Sequence, residues 1–149
     1  MRTREIKELD YLYFERNARE GDIAECIAVS PTKRLRDHIR ISKEQSLESY
    51  AYVDDEDNPI ALYGLMQNGK LFVPWLLTTR LVEKHKLSFM KTTRKEVYRF
   101  FDKYGILWLI TDNRYEQAKQ LNLWCGFREW GEPVFINDVE FRIYCFEGK

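Results

Sequence analysis

The stretch that decides the fold is a pair of apolar runs on either side of an amphipathic segment. Residues 71–79 read LFVPWLLTT and residues 106–110 read ILWLI, which is typical of strands buried on both faces. Between them, residues 87–104 carry apolar side chains at helical spacing. This order predicts two parallel strands joined by a right-handed crossover. Pro74 cannot donate to a ladder, so we expect a bulge or a missing hydrogen bond there.

Two segments before this unit predict strands of an antiparallel sheet. Residues 50–53 alternate, residues 57–58 suit a turn, and residues 59–66 read as the next strand. Asn68-Gly69 follows, a dipeptide that favours a tight hairpin turn. We therefore expect a meander of antiparallel strands whose last member is the first strand of the parallel pair.

The remaining segments predict helices at the start of the chain and strands at its end. Residues 10–20 carry apolar residues at helical spacing, and residues 42–49 resemble a short helix with a capping box. Residues 127–130 and 140–146 predict the final strands. We expect all 149 residues to form one α/β (α+β) domain, with a mixed, mostly antiparallel sheet, a central parallel pair and flanking helices.

The composition narrows the classes of protein to which the chain can belong. The apolar fraction is 44%, and Lys plus Arg equals Asp plus Glu at 24 each, so we expect a folded domain without bulk attraction for polyanions. No apolar run is long enough to span a membrane, and the charged N-terminus does not resemble a signal peptide. Three cysteines without paired spacing predict buried thiols in a reducing compartment and no metal site. They are Cys26, Cys125 and Cys145.

The order of elements resembles that of the GNAT N-acetyltransferases, in which an antiparallel meander leads to a strand, a long helix, a second strand and a further helix. Residues 118–127, which end in Trp-Cys-Gly-Phe, also resemble the closing motif of that family. The resemblance implies that residues 71–79 and 106–111 splay apart and that acetyl-CoA, the cofactor, slots between them. The residues that it places beside the cofactor are Leu77, Thr78, Thr79 and Asn113.

A second resemblance is to a family of short acetyltransferase-like proteins of tailed phages. The runs PWLLTT (74–79), EKH (83–85), SFM (88–90) and RK (94–95) are similar to that family, which includes the internal virion protein (gene 13 product) of T7-like podophages. The similarity covers residues 50–147. It implies a cytoplasmic protein of the infected host cell or one associated with the virion. Its partner would be a phage or host protein, or a second copy of the chain.

The junction between the first parallel strand and the helix departs from the GNAT pattern. The family signature Q/R-x-x-G-x-G/A has glycines where backbone amides approach the pyrophosphate. Here the six residues from Arg80 read RLVEKH, so Glu83 and His85 stand at the glycine positions and crowd the path of the anion. The segment is either a solvated charged loop or a modified phosphate site. In the second case the phosphate contacts come from Arg80, Lys84, Lys86 and Ser88.

The sequence offers catalytic candidates but no complete set. Many GNAT enzymes carry a tyrosine four residues before the closing glycine, and that position is Asn122, whose amide is a poor proton donor. His85 in the loop and Asp112-Asn113 at the end of the second strand are the other candidates, although Asn113 also suits a helix cap. Two tyrosines and a histidine are expected to pack or to lie on the surface: Tyr104, Tyr115 and His38.

Two functions from different classes stay open. One is acetyl-CoA-dependent transfer to an amine. The other, which we favour because the glycines and the tyrosine are missing, is a GNAT-like scaffold without catalysis that binds a phage or host protein through exposed aromatic residues. The basic residues 33–40 could contact nucleic acid, but a solvated helix face explains them equally well, and we do not expect a nucleic-acid partner.

Overall fold

One mixed sheet, covered by helices on both faces, organises the chain. The computed structural model describes residues 1–148. The strands are β1 (Arg2–Arg4), β2 (Ser46–Val53), β3 (Pro59–Asn68), β4 (Leu71–Thr78), β5 (Leu107–Asp112), β6 (Arg128–Glu129), β7 (Val134–Ile136) and β8 (Val139–Phe146). The helices are α1 (Glu8–Asn17), α2 (Glu20–Val29), α3 (Leu35–Glu44), α4 (Lys86–Tyr104) and α5 (Glu116–Cys125), with a 3₁₀ turn at Arg80–Glu83.

The strand order confirms the mixed, mostly antiparallel sheet. It runs β1-β2-β3-β4-β5-β8-β6, with β7 paired to β8, and β4–β5 is the parallel pair among these strands. The hairpin at Asn68-Gly69 forms as expected, since Gly69 takes the positive φ that such a turn needs. The described residues contain no helix that is both long enough and apolar enough to span a bilayer.

The two faces of the sheet pack against different helices. On one face, Phe14 of α1 and Ile39 of α3 are fully buried against Leu62 of β3, and Trp75 and Leu77 of β4 join this cluster. On the other face, α4 buries Phe89, Val97 and Phe100 against the sheet. All three cysteines are buried free thiols, as expected. The parallel pair lies at the centre, between the two clusters.

The helix expected over residues 42–49 is wrong. Helix α3 runs on through Glu44, and β2 begins at Ser46, whose Cα partner on β3 is Met66. Pairing with β3 gives this backbone its hydrogen-bond partners, and long-range pairing of this kind outweighs a weak local helix preference.

Pro74 does not produce a bulge. The register between β3 and β4 is continuous from Ala61–Thr78 to Asn68–Leu71. Just beyond Thr78, the Thr79 N–H donates to Ile60 O (3.0 Å), so by alternation the nitrogen of Pro74 points away from β3 and toward β5. The hydrogen bond that Pro74 cannot donate would therefore go to β5, and the ladder between β3 and β4 stays intact.

Candidate active site

The parallel strands β4 and β5 part almost as soon as they meet. Their paired residues are Phe72 and Leu107, although β4 continues to Thr78 and β5 to Asp112. Pro74 has no N–H group to offer β5. The result is an open slot between the two strands, as the resemblance implies, and a cavity of about 590 Å³ runs through it and along both faces of the sheet.

Helix α2 closes one end of this slot with two carboxylates. The Thr78 N–H donates to Asp22 Oδ2 (2.8 Å), and the Asp112 N–H donates to Glu25 Oε2 (3.1 Å). Parting the strands would leave both amides without partners, which is costly when a backbone group is buried. Asp22 and Glu25 thus replace the ladder bonds that β4 and β5 do not make.

Asp22 is held through one of its two oxygens. Its Oδ2 also accepts the Thr78 hydroxyl, and only 5% of the residue is exposed. Burial raises the pKa of Asp22 to about 6, while the hydrogen bonds from Thr78 act in the opposite direction. The ring of Tyr115 lies directly against Gly21, which has no room for a Cβ atom, and this contact sets how closely α2 approaches the slot.

Glu25 is held less completely. Burial raises its pKa to about 7, the Asp112 N–H opposes that rise, and the charges of Asp22 and Asp112 add to it. Asp112 itself is different, because its hydrogen bonds and ion pair with Arg114 (2.7 Å) outweigh burial and lower its pKa. Within one site, the pKa of Glu25 is therefore raised and that of Asp112 lowered.

The loop that should receive phosphates uses several amides internally. The N–H groups of Leu81 and Val82 donate to Thr79 Oγ1 (3.3 Å) and Thr79 O (3.1 Å), and the Lys84 N–H donates to Leu81 O (3.1 Å). The first turn of α4 follows directly, and Lys86 there is exposed and lines the cavity. A helix N-terminus carries partial positive charge, so this end of the cavity suits an anion.

The structure brings together some of the residues that the sequence predicts for the site. Those that line the cavity are Leu77, Thr78, Lys86 and Asn122. Those outside its wall are Thr79, Arg80, Lys84, His85, Ser88, Asp112 and Asn113.

Several residues of both groups use their side chains for hydrogen bonds within the protein. The Asn122 amide donates to Thr111 Oγ1 (2.9 Å) and the Asn113 amide to Glu140 Oε2 (2.7 Å). The Thr79 hydroxyl donates to Pro59 O (2.7 Å). The cap expected of Asn113 is wrong, since Tyr115 precedes α5, and His85 is the residue that precedes α4. These amide and hydroxyl groups hold the walls of the slot.

Sequence reasoning missed the two carboxylates that close the slot. Helix α2 begins at Glu20, so Asp22 lies in its first turn with its side chain directed to Thr78. Glu25 carried no signal at all. Its fourth-residue neighbours on the helix are apolar or small, and its partner Asp112 is 87 residues away. Tyr115, expected to pack, does so, but in the wall of the cavity.

Within residues 1–148, no group of three His, Cys, Asp or Glu side chains is arranged so that it could hold a metal ion. The site offers carboxylates, amides and a cationic helix end.

The sequence of the chain matches no family profile and no characterised protein. Its structure does match solved structures. A GNAT-family acetyltransferase from Bacillus anthracis superposes with a TM-score of 0.73 at 8% identity, over 97% of this chain and 93% of that one. AAC(6')-Ib in complex with ribostamycin and coenzyme A gives 0.70 at 12% identity, over 98% and 92%.

A third match extends the same finding. Spermidine N-acetyltransferase from Vibrio cholerae, in complex with CoA and spermine, superposes with a TM-score of 0.68 at 14% identity, over 97% of this chain and 94% of that one. At such low identity these matches speak for the fold. With its meander, its parted parallel strands and the helices on both faces, the chain has the fold of the GNAT N-acetyltransferases.

Proposed function

We propose that the chain binds acetyl-CoA in the slot between β4 and β5 and transfers the acetyl group to an amine. The observation that carries this proposal is the parting of the strands after Phe72–Leu107, which leaves a cavity of about 590 Å³ inside a GNAT fold. Two proteins that superpose on the chain are complexes with CoA. Spermine and ribostamycin, the other ligands of those two complexes, are amines, and a small amine is the acceptor that we propose here.

Backbone groups of the slot suit a thioester arm. Backbone N–H groups alternate in direction along a strand. The Thr79 N–H donates to Ile60 on β3, so the Leu76 N–H points from β4 into the slot. The Asn113 N–H donates to Glu140 on β8, so the Ile110 N–H points from β5 into the slot. An amide-containing arm laid between the strands would complete both edges as an inserted strand does. The slot then works by positioning thioester and amine together.

The phosphate end of the slot offers few groups to an anion. Glu83 and His85 stand at the expected glycine positions, and the amides of Leu81, Val82 and Lys84 have partners within the loop. Lys86 and the first turn of α4 are what remains for the pyrophosphate. We therefore expect modest affinity for acetyl-CoA that depends on salt.

The test is isothermal titration of the protein with acetyl-CoA, together with a matched pair of variants on α5. Ala118 lines the cavity and Leu123 is 58% exposed on the same helix outside it. Ala118→Trp should abolish binding by filling the slot, whereas Leu123→Trp should leave it unchanged. No heat with about 1 mM acetyl-CoA, the upper end of ordinary substrate affinities, would contradict the proposal.

A second matched pair tests the phosphate end. Lys86→Glu reverses a charge that lines the cavity, while Lys91→Glu reverses an exposed charge on the same helix that does not. We expect Lys86→Glu to weaken acetyl-CoA binding about tenfold at low salt and Lys91→Glu to change it less than twofold. Equal effects of the two variants would show that the phosphates lie elsewhere.

The alternative is a scaffold of GNAT fold without catalysis, which binds a phage or host protein in the infected cell or the virion. What favours it is the loop, in which side chains replace glycines and amides are already paired. This alternative predicts no thiol release from acetyl-CoA with any amine, together with co-purification of a defined phage or host protein. Amine-dependent thiol release would exclude it.

A further inference from the structure

Three carboxylates meet at the closed end of the slot, and they differ in how their oxygens are engaged. Asp22 accepts both the N–H and the hydroxyl of Thr78. The guanidinium of Arg114 binds both carboxylate oxygens of Asp112: Nη2 donates to Oδ2 (2.7 Å) and Nε to Oδ1 (3.0 Å). Glu25 accepts the Asp112 N–H alone, through Oε2.

The second oxygen of Glu25 has no hydrogen-bond partner within residues 1–148 and is not sealed in. In that part of the chain, the side-chain polar atom that is both sealed and without a partner is His38 Nε2. Glu25 also lines the cavity that reaches Lys86 on the opposite face of the sheet. Asp22 Oδ1 also makes no hydrogen bond there, but Asp22 is only 5% exposed whereas Glu25 is partly exposed, so Glu25 offers the more accessible free oxygen at the slot.

We infer that Glu25 takes the proton from the attacking amine in the acetyl transfer, an inference that rests on the function proposed above. The amine nitrogen attacks the thioester carbon, the C–N bond forms and the C–S bond breaks, with its electron pair leaving on sulfur. The N–H proton passes to the free Glu25 oxygen and then to solvent. The thiolate takes up one proton from solvent, so amine and acetyl-CoA give the N-acetyl amine and CoA-SH.

The surroundings of Glu25 suit this role. From its own helix Asp22 faces it, and from β5 Asp112 does, with Arg114 beyond. These two carboxylates and burial bring the pKa of Glu25 to about 7, where a base can both accept a proton and return it near neutral pH. The negative charge of the group also attracts the ammonium form of an incoming amine.

Among the other titratable groups of the cavity wall, His38 and Tyr115 do not compete with Glu25. His38, from α3, has its pKa lowered chiefly by burial, so it stays neutral at the pH where Glu25 ionises. Tyr115, which precedes α5, has its pKa raised chiefly by burial, so it remains a phenol and cannot act as a base near neutrality. Both line the cavity beside Glu25 without adding charge.

The arrangement also separates the two substrates by face. Glu25 belongs to α2, on the side of the sheet that α1 and α3 cover, whereas Lys86 belongs to α4 on the other side. An amine that enters beside Glu25 therefore meets the thioester through the slot, without crossing the path of the phosphates. Proximity of the base to the reacting end follows from this geometry.

The experiment measures thiol release from acetyl-CoA with n-propylamine, a probe small enough for any acceptor site, between pH 6 and pH 9. Glu25→Gln should lower kcat/KM for the amine about 100-fold at pH 7.5 and remove the acidic limb from the pH profile of kcat, which reports groups of the bound complex. The KM for acetyl-CoA should stay within about twofold of the wild-type value. Glu20→Gln, an exposed neighbour on α2, should behave like the wild type.

Controls separate a catalytic role from a structural one. Glutamine matches the shape of protonated Glu25, so Glu25→Gln should unfold at the same temperature as the wild type at pH 6. Glu25→Asp keeps the carboxylate but shortens its reach, and it should retain a pH profile with reduced kcat. A full rate in Glu25→Gln, an unchanged acidic limb, or a Glu25→Asp variant as slow as Glu25→Gln would overturn the inference.

The outcomes distinguish this inference from the function on which it rests. If acetyl-CoA does not bind, the proposed function fails and the role of Glu25 fails with it. If acetyl-CoA binds but no thiol is released with n-propylamine, the role of Glu25 is overturned while binding in the slot stands. Release that depends on Glu25, with binding unchanged, supports both.

Discussion

Two glutamates on opposite sides of the sheet carry the same side chain and bind protons with very different affinity. Burial would raise the pKa of Glu48 on β2, but hydrogen bonds outweigh it and lower that pKa to about 2. The donors are Tyr50, Tyr104, Arg99 and Lys103, at 2.8, 2.6, 2.8 and 3.2 Å. Glu25 has one amide donor and two carboxylate neighbours, and its pKa is about 7.

The difference teaches that burial alone does not decide the charge of a carboxylate. The number of donors and the sign of nearby charges decide it. Three of the four donors, Arg99, Lys103 and Tyr104, lie on α4 and join it to β2, so this carboxylate is a structural anion. Glu25 has a single hydrogen-bond donor, so its pKa lies near neutrality at the open slot.

The largest expected effect comes from removing the structural anion. Glu48→Ala leaves four donors without their acceptor and should lower the free energy of unfolding by about 2–3 kcal/mol at pH 7. Because the folded pKa of Glu48 lies below its ordinary value of 4.5, its contribution is present above pH 4.5 and is lost as the pH falls toward 2. Urea denaturation at pH 7 and pH 3 measures this.

Glu44 provides the control for that prediction. It is exposed at the end of α3, and Glu44→Ala should change stability by less than about 0.5 kcal/mol at either pH. A loss in Glu48→Ala that is as large at pH 3 as at pH 7 would mean that packing, rather than the charge of Glu48, joins β2 to α4.

The next largest effect is expected from a substitution that displaces α2, the helix that carries Glu25. A Cβ atom on Gly21 would collide with the ring of Tyr115, so Gly21→Ala should push α2 from the slot and cost about 2 kcal/mol. The measurement is thermal and urea denaturation. Gly69→Ala, at a turn with open space around it, tests the effect of backbone strain alone. If Gly21→Ala were neutral, α2 would not be seated by Tyr115.

A smaller effect, of opposite sign, is expected for the titrating glutamate. The folded pKa of Glu25 lies above its ordinary value, so its contribution is most favourable below pH 4.5 and is lost as the pH rises through about 7. Glu25→Gln removes the buried charge and should therefore stabilise the protein by about 1–2 kcal/mol at pH 8. Urea denaturation of both proteins between pH 5 and pH 8 should give curves that converge at the acidic end.

The smallest effect probes a single donor. Tyr104→Phe removes one of the four hydrogen bonds to Glu48 and should cost about 1 kcal/mol while moving the pKa of Glu48 upward toward its ordinary value. NMR titration of the Glu48 carboxyl carbon measures that shift. Tyr13→Phe removes a hydroxyl that makes no hydrogen bond within the described chain, and it should leave the titration as it is.

The strands were predictable because their signals are local. The apolar runs at residues 71–79 and 106–110 are long enough for buried strands, and both lie in the parallel pair. The short strand β7 was missed because residues 131–138 look like loop in composition and pair only with β8. The helix expected at residues 42–49 failed for the same reason, since β3 supplies partners that the local sequence does not show.

The site was predictable only where it follows from strand ends. Leu77 and Thr78 lie at the end of β4 and do line the cavity. Asp22 and Glu25 were not predictable, because their partners are backbone amides 56 and 87 residues away, exposed only when two particular strands part. No property of residues 20–29 indicates that such amides exist.

Pro74 has a consequence for the thermodynamics of ligand binding. Its ring nitrogen points toward β5 and has no hydrogen to share, so one of the hydrogen bonds that would close the two strands on each other is missing even when the cavity is empty. A ligand therefore displaces water instead of breaking a ladder. The free energy of opening is spent once, as the chain folds, and a ligand meets a preorganised cleft.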